Sequence, residues 1–135
     1  MLKGRIVVID DEPLLCASLK RSLSDLGSHV DVKVFEKPKE AVEYVRMNPT
    51  DAVVVDIMMP GMKGHEAARQ MRSDNPLLQF IVITGHPEYE FVGNFIEMGI
   101  HEILLKPFDN AFLIDILVQA LERSERLKTI LMKRV

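Results

Sequence analysis

The strongest constraint in this chain is a series of short, wholly apolar runs rich in β-branched residues, each too brief for a helix and each followed by a segment with helical spacing. IVVI (6–9), AVVV (52–55) and FIVIT (80–84) lack the polar alternation of a half-exposed strand, so both faces of each must be covered. VDVKVF (30–35) alternates strictly, as a half-exposed edge strand does, and EILLK (102–106) reads as the last strand. Leu15, Leu19, Leu23 and Leu26 recur at three and four residues, Pro13 suits a first helical turn, and Gly27 suits a C-terminal cap. Helices are also predicted over 38–47, 64–72 and 87–98, the last closed by Gly99, and from an Asp109 N-cap almost to the end. Five strands and five helices in strict alternation predict an α/β fold, a doubly wound five-stranded parallel sheet covered on both faces. Ligands of such sheets lie in the crevice beyond the carboxyl ends of the strands.

Composition removes several function classes. The 135 residues fit one domain, and 47% hydrophobic with 27% charged residues is an ordinary globular balance. A net charge of −3 gives no electrostatic grip on nucleic acid, so no direct nucleic-acid binding is expected of this region. The N-terminus reaches Asp10 and Asp11 before it supplies a signal-peptide apolar region, and no run approaches the roughly 18 apolar residues of a membrane span. The single cysteine, Cys16, makes no intramolecular disulfide and fits a reducing compartment; a cytoplasmic protein is expected.

The strand ends carry the chemistry. The first strand runs into Asp10, Asp11 and Glu12, the third into Asp56, the fourth into Thr84 and the fifth into Lys106. A parallel sheet gathers these on one rim, where clustered carboxylates are driven toward neutrality unless a cation compensates. Oxygen ligands with open positions suit Mg²⁺, which takes one or two carboxylates and leaves room for water or a phosphoryl group. An aspartate beside such a metal and a lysine is placed to attack phosphorus, with the cations neutralising the equatorial oxygens and a threonine hydroxyl bonding one of them.

The segments VIDDEP, VVVDIMMPGMKG, VITGH and LLKPF together resemble the receiver domain of two-component response regulators, in order and spacing, over about the first 120 residues. The resemblance implies a flavodoxin-like sheet with strand order 2-1-3-4-5. It implies Asp56 as phosphoacceptor, Asp10 and Asp11 as metal-site acids with the Met58 carbonyl completing the shell, Thr84 as switch hydroxyl and Lys106 as the phosphoryl-pairing lysine. It further implies a cis Lys106-Pro107 peptide, Mg²⁺ as cofactor, and a sensor histidine kinase or phosphotransfer protein as donor. The domain is then a phosphorelay switch that controls an output domain or effector protein, not an enzyme acting on external substrates.

Each residue alone has a plainer reading: DDEP as an acidic helix start, Asp56 as a turn residue, Thr84 as a strand end, Lys106 as a solvated lysine. Their convergence on one rim favours the phosphoacceptor. A phosphatase of the aspartate-nucleophile type wants a second acid two residues past the nucleophile, where Met58 stands; a flavin module wants glycines where DDEP stands. A phosphate-independent binding scaffold is the main alternative, and the intact acid, Thr and Lys set argues against it.

Three features depart from the family pattern. Ile103 stands three residues before the lysine, where an aromatic is common; it reads either as drift in a buried strand or as an altered switch. Phe91 and Phe95 are expected with it on or under the face of the fourth helix, fifth strand and fifth helix. His86, two past Thr84, either orients water or caps a helix, and His29, His65 and His101 are expected at the surface with no shared metal spacing. Residues 1–121 are read as the receiver and 122–135 as a helical extension. A helix over residues 110–135 would be about 39 Å long, more than the sheet needs. Its Leu113, Leu117, Ala120, Ser124, Leu127 and Leu131 form a weak heptad, with Glu122 and Arg126 at i, i+4; this suggests either a dimerising coiled coil or a linker to an output domain. The local basic excess reads as a solvated face, and the ending LMKRV as that of an excised receiver.

Met58 cannot orient an attacking water by a strong hydrogen bond. Slow loss of the phosphoryl group is therefore expected, and Met58→Asn should accelerate it; an unchanged hydrolysis rate in that variant would refute the argument.

Overall fold

The computed structural model describes residues 1–59, 62–85 and 89–133, with 89–91 described by backbone alone. Five parallel strands, β1 (Gly4–Ile9), β2 (Val30–Phe35), β3 (Ala52–Asp56), β4 (Gln79–Thr84) and β5 (Glu102–Leu105), form one sheet in the order β2-β1-β3-β4-β5. Helices α1 (Pro13–Leu23), α2 (Pro38–Met47), α3 (Gly64–Asp74), α4 (Tyr89–Met98) and α5 (Asn110–Met132) connect and follow them. The chain winds outward from β1 to β2 and then returns past β1 to β3, so the order reverses between β1 and β3. That reversal opens a crevice at the carboxyl ends of these two strands. Register aligns Ile9 with Val55, and Asp56 with Ile83, which puts Asp10, Asp56 and Thr84 within one residue step of a common edge.

The period of two along each strand divides the core. Val7, Ile9, Val53, Val55, Phe80 and Val82 face α2, α3 and α4, where Val42, Ala67, Met71 and Phe95 pack on them. Ile6, Val8, Val54, Ile81 and Ile83 face the other way, against Leu19 and Leu23 of α1 and Leu113, Leu117 and Leu121 of α5. Each such side chain, once wholly buried, stabilises the fold by about 1.5–3 kcal/mol relative to exposure. β2 pairs on one side only, in keeping with its alternating sequence.

Several boundaries differ from the sequence pattern for local reasons. α1 stops at Leu23 and continues as a 3₁₀ turn over Ser24–Leu26; the Ser24 hydroxyl donates to the Arg21 carbonyl at 2.6 Å, and Gly27 reverses the chain at φ 114°. β1 starts two residues before its apolar run because Gly4 and Arg5 still pair with Val30 and Asp31. β5 ends at Leu105, although the Lys106 N–H still donates to the Thr84 carbonyl at 2.8 Å. Asp109 caps α5 as expected, accepting from the Ala111 N–H at 2.9 Å, and the Lys106-Pro107 peptide is cis. The expected start of α4 at Pro87 lies outside the described residues. α4 ends on an arginine from α3: Arg72 donates to the Met98 and Gly99 carbonyls, both at 2.9 Å, while its guanidinium lies 5.0 Å from the Phe80 ring centroid.

The last helix is about 35 Å long at 1.5 Å per residue over its 23 residues. Its stripe of Leu113, Leu117, Ala120 and Ser124 is buried against the chain's own sheet, so that part of the heptad is core and not a dimer seam. Apart from Phe112 in its first turn, the exposed large apolar residues of this helix, Ile130, Leu131 and Met132, lie beyond Ser124. Among the described residues, no ion pair joins Glu122 to Arg126; Glu125 pairs instead with Lys3 at 3.6 Å. No described helix is long and apolar enough to cross a membrane.

Asp51 holds this helix to the amino end of the sheet. Its carboxylate is buried, with Oδ2 accepting the Arg5 N–H at 2.9 Å and Oδ1 accepting the Ser124 hydroxyl at 2.8 Å while pairing with Lys128. The chain passes close by at Gly4, where a Cβ would lie 2.8 Å from Asp51 Oδ2 and 2.9 Å from Leu121. The backbone there has φ 142°, which favours glycine. Burial pushes the Asp51 carboxyl up, but Lys128, the Arg5 N–H and Ser124 outweigh it and hold the group below its ordinary range.

A carboxyl depressed in the folded state contributes stability above its unfolded pKa that is lost as pH falls through the folded value. Asp51→Ala should thus lower the unfolding free energy by about 2–4 kcal/mol at neutral pH by orphaning the Arg5 N–H and Ser124. The difference from wild type should shrink once the pH drops below the ordinary value of 3.8, as measured by denaturant melts across pH.

Candidate functional site

The crevice between β1 and β3 is floored by two buried acids. Asp10 follows β1 and is wholly buried, and Asp56 is the last residue of β3 and nearly so. The turn after each strand folds its own backbone onto the carboxylate: the Glu12 N–H donates to Asp10 Oδ1 at 2.8 Å, and the Met58 N–H to Asp56 Oδ1 at 3.2 Å. Asp11 stands exposed at the mouth. Lys106, just past β5, reaches across the rim to Asp56 Oδ2 at 3.0 Å, Glu12 Oε1 at 2.8 Å and Asp10 Oδ2 at 2.9 Å. The contacts to Glu12 and Asp56 are good hydrogen bonds; the one to Asp10 is an ion pair without hydrogen-bond geometry, and Oδ2 remains a buried oxygen with no hydrogen-bond partner.

The electrostatics follow from this crowding. Burial, reinforced by the charge of Asp56, raises the Asp10 carboxyl above its ordinary range despite the opposing pull of Lys106 and the Glu12 N–H. Burial lowers the Lys106 ammonium, but its contacts with Glu12, Asp10 and Asp56 outweigh this and raise it, so the lysine stays charged. The Cys16 thiol, bonded to the Asp10 carbonyl at 3.1 Å, is pushed up to about 11 by burial and by Asp10, and is no nucleophile at neutral pH.

Asp10, Asp11 and Asp56 each bring one oxygen to within 4.8 Å of the others. An all-carboxylate donor set with an orphaned buried oxygen fits a hard divalent ion that keeps several ligand positions open. Such an ion would be held by these three acids. Glycine is required beside them: a Cβ on Gly64, at the start of α3, would lie 2.2 Å from the Asp56 carbonyl. Thr84 is buried at the end of β4, its carbonyl accepting the Lys106 N–H.

The rim thus brings together Asp10, Asp11, Asp56 and Lys106, with Thr84 at the neighbouring strand end and the Met58 side chain half exposed above Asp56. His86 and the side chain of Phe91 lie outside the described residues. Phe95 lies in the core beneath α4, and Ile103 packs partly buried against the same cluster. His29 is exposed, but His65 is not a simple surface residue. It meets the Phe95 ring edge-on at 6.3 Å with a buried Nδ1 lacking a hydrogen-bond partner. Glu12 stands in the acidic run after the first strand, but the reach of its side chain to Lys106 was not signalled there; Gly64 escaped the pattern of strand ends altogether, its only signal being the closing glycine of PGMKG.

The family model for the response regulator receiver domain matches residues 6–118. The DNA-binding transcriptional regulator NtrC of Escherichia coli (strain K12) is 31% identical over 124 residues, 92% of this chain and 25% of NtrC. The response regulator MprA of Mycobacterium sp. (strain KMS) is 36% identical over 104 residues, 77% of this chain and 44% of MprA. The chain therefore spans less than half the length of these curated relatives. A CheY-like receiver domain protein of Methanospirillum hungatei JF-1 superposes with a TM-score of 0.86 at 23% identity, covering 93% of this chain and 98% of that one.

Lys106 and a divalent ion would compete for the same oxygens. A unit charge about 5 Å from a divalent ion is worth several kcal/mol even at an effective dielectric of about 20. Lys106→Met should accordingly bind Mg²⁺ at least about tenfold more tightly by calorimetric titration. Without the ion it should melt at lower temperature than wild type, since the acids then face one another unpaired, and Mg²⁺ should restore much of the loss.

Proposed function

Since the chain belongs to the response regulator receiver domain family, we propose that Asp56 is its phosphoacceptor and that Asp10, Asp11 and the Met58 carbonyl complete an Mg²⁺ site around it. The observation that carries this reading is the contact of Asp56 Oδ2 with Lys106 Nζ at 3.0 Å, on the buried floor of a cluster of acids. Asp56 leaves one carboxylate oxygen held by the Met58 N–H and the other toward the lysine, so its orientation is set before a donor arrives. The donor is the phosphohistidine of a sensor kinase or phosphotransfer protein. A carboxylate oxygen of Asp56 forms a bond to phosphorus as the phosphorus–nitrogen bond breaks, and the electron pair leaves with the imidazole. Bound Mg²⁺ supplies positive charge to the transferring oxygens. Lys106 supplies a further charge to the transferring oxygens, and the Thr84 hydroxyl serves as the switch contact to a phosphoryl oxygen.

The only reactions assigned to the chain itself are this self-phosphorylation and the later hydrolysis of its aspartyl phosphate, in the cytoplasm. Residues 1–121 carry them, and the helix beyond leads to an output domain or effector protein, or pairs with a second copy. With Ile103 in place of an aromatic ring, the switch uses aliphatic repacking around Phe95.

Incubation with a small phosphodonor and Mg²⁺, followed by intact-mass measurement, should show one added phosphoryl group that is lost without the metal and absent in Asp56→Asn. An adduct that persists in Asp56→Asn would displace the acceptor assignment. No adduct with either the small donor or a phosphorylated kinase would leave a binding scaffold.

A further inference from the structure

We propose that Glu12 is a positioning residue that restrains Lys106 in the unphosphorylated protein and so slows phosphorylation; the inference rests on Asp56 being the phosphoacceptor. The lysine ammonium has three protons and three acidic neighbours, but these neighbours are not equivalent. Asp10 and Asp56 are buried and fixed by backbone N–H groups, and both have a second task in a metal site. Glu12 is outside the metal cluster, its side chain is 59% exposed, and it makes the shortest of the three contacts, 2.8 Å to Nζ. The segment that bears it is rigid. The Glu12 N–H is tied to Asp10 Oδ1, its carbonyl accepts the Cys16 N–H at 3.0 Å, and Pro13 fixes the backbone immediately after it.

A phosphoryl group on Asp56 needs the ammonium protons that Glu12 now shares. Glu12 therefore competes for Lys106 during transfer and afterwards, and its charge opposes an anionic donor approaching the same rim. Being half in water, it can release the lysine by rotating away at little cost, which neither Asp10 nor Asp56 can do. The restraint is thus reversible and is lifted when the phosphoryl oxygens offer the lysine a better partner.

Two variants separate grip from charge. Glu12→Gln weakens both, whereas Glu12→Asp keeps the charge but is one methylene too short to hold Nζ in place. With a small phosphodonor at saturating Mg²⁺, both variants should phosphorylate about threefold to tenfold faster than wild type, and the aspartyl phosphate should last longer in each. The gain should lie in the maximal rate for Glu12→Asp, and in both the maximal rate and the half-saturating donor concentration for Glu12→Gln. Wild-type kinetics in Glu12→Asp beside a faster Glu12→Gln would reduce the role to charge alone and overturn the restraint. Slower phosphorylation in both variants would make Glu12 an aid to the lysine and also overturn it. If wild type is phosphorylated on Asp56 and the variants match it, only this inference falls; if none is phosphorylated, the acceptor reading falls first.

Discussion

Two buried carboxylates at the end of a parallel sheet cannot stand side by side without a cation. Asp10 and Asp56 sit at the reversal point of the strand order, where the fold offers a crevice but little water. Lys106 meets that requirement from the end of β5, two places from β3 and three from β1, and its reach fixes the relative positions of these strands at the rim. The rest of the site follows. Asp11 and the orphaned oxygen of Asp10 make room for a divalent ion, Gly64 lets α3 begin against the Asp56 carbonyl, and Thr84 lies one step along the same edge. A lysine and a divalent ion would be alternative solutions to one electrostatic problem.

The opposite pole of the sheet is organised by the same physics with a different outcome. Asp51 is also a buried carboxylate, but every partner it needs is supplied within the fold, and its proton affinity falls where that of Asp10 rises. A satisfied buried acid is a structural joint; an unsatisfied one is a place where a ligand can gain by binding. The contrast explains why, of two acids just beyond or at strand termini, one reads as chemistry and the other as architecture.

Much of this was legible in the sequence because fully covered parallel strands have an unmistakable pattern. IVVI, AVVV and FIVIT could only be central strands, and the residues after them had to share a rim. The family resemblance supplied the strand order and the cis Lys106-Pro107 peptide, neither of which spacing alone implies. Contacts between residues far apart in the chain were not legible, since spacing carries no information about them. Glu12 meets Lys106 across 94 positions, and Asp51 meets Lys128 across 77. The heptad in α5 misled for a related reason. A stripe at alternating four and three residues looks the same whether it faces a second helix or the chain's own sheet, and through Ser124 it faces the sheet.

Asp51 closes the first strand and the last helix into a ring, because one carboxylate binds the backbone of residue 5 and the side chains of residues 124 and 128. A boundary drawn at residue 121 passes through that ring. A fragment cut there would keep the whole acid rim and its lysine, yet leave at the far pole a buried charge stripped of its hydroxyl and its cation. The smallest unit that retains the rim is therefore shorter than the smallest unit in which Asp51 keeps its partners, and the difference is about two turns of helix.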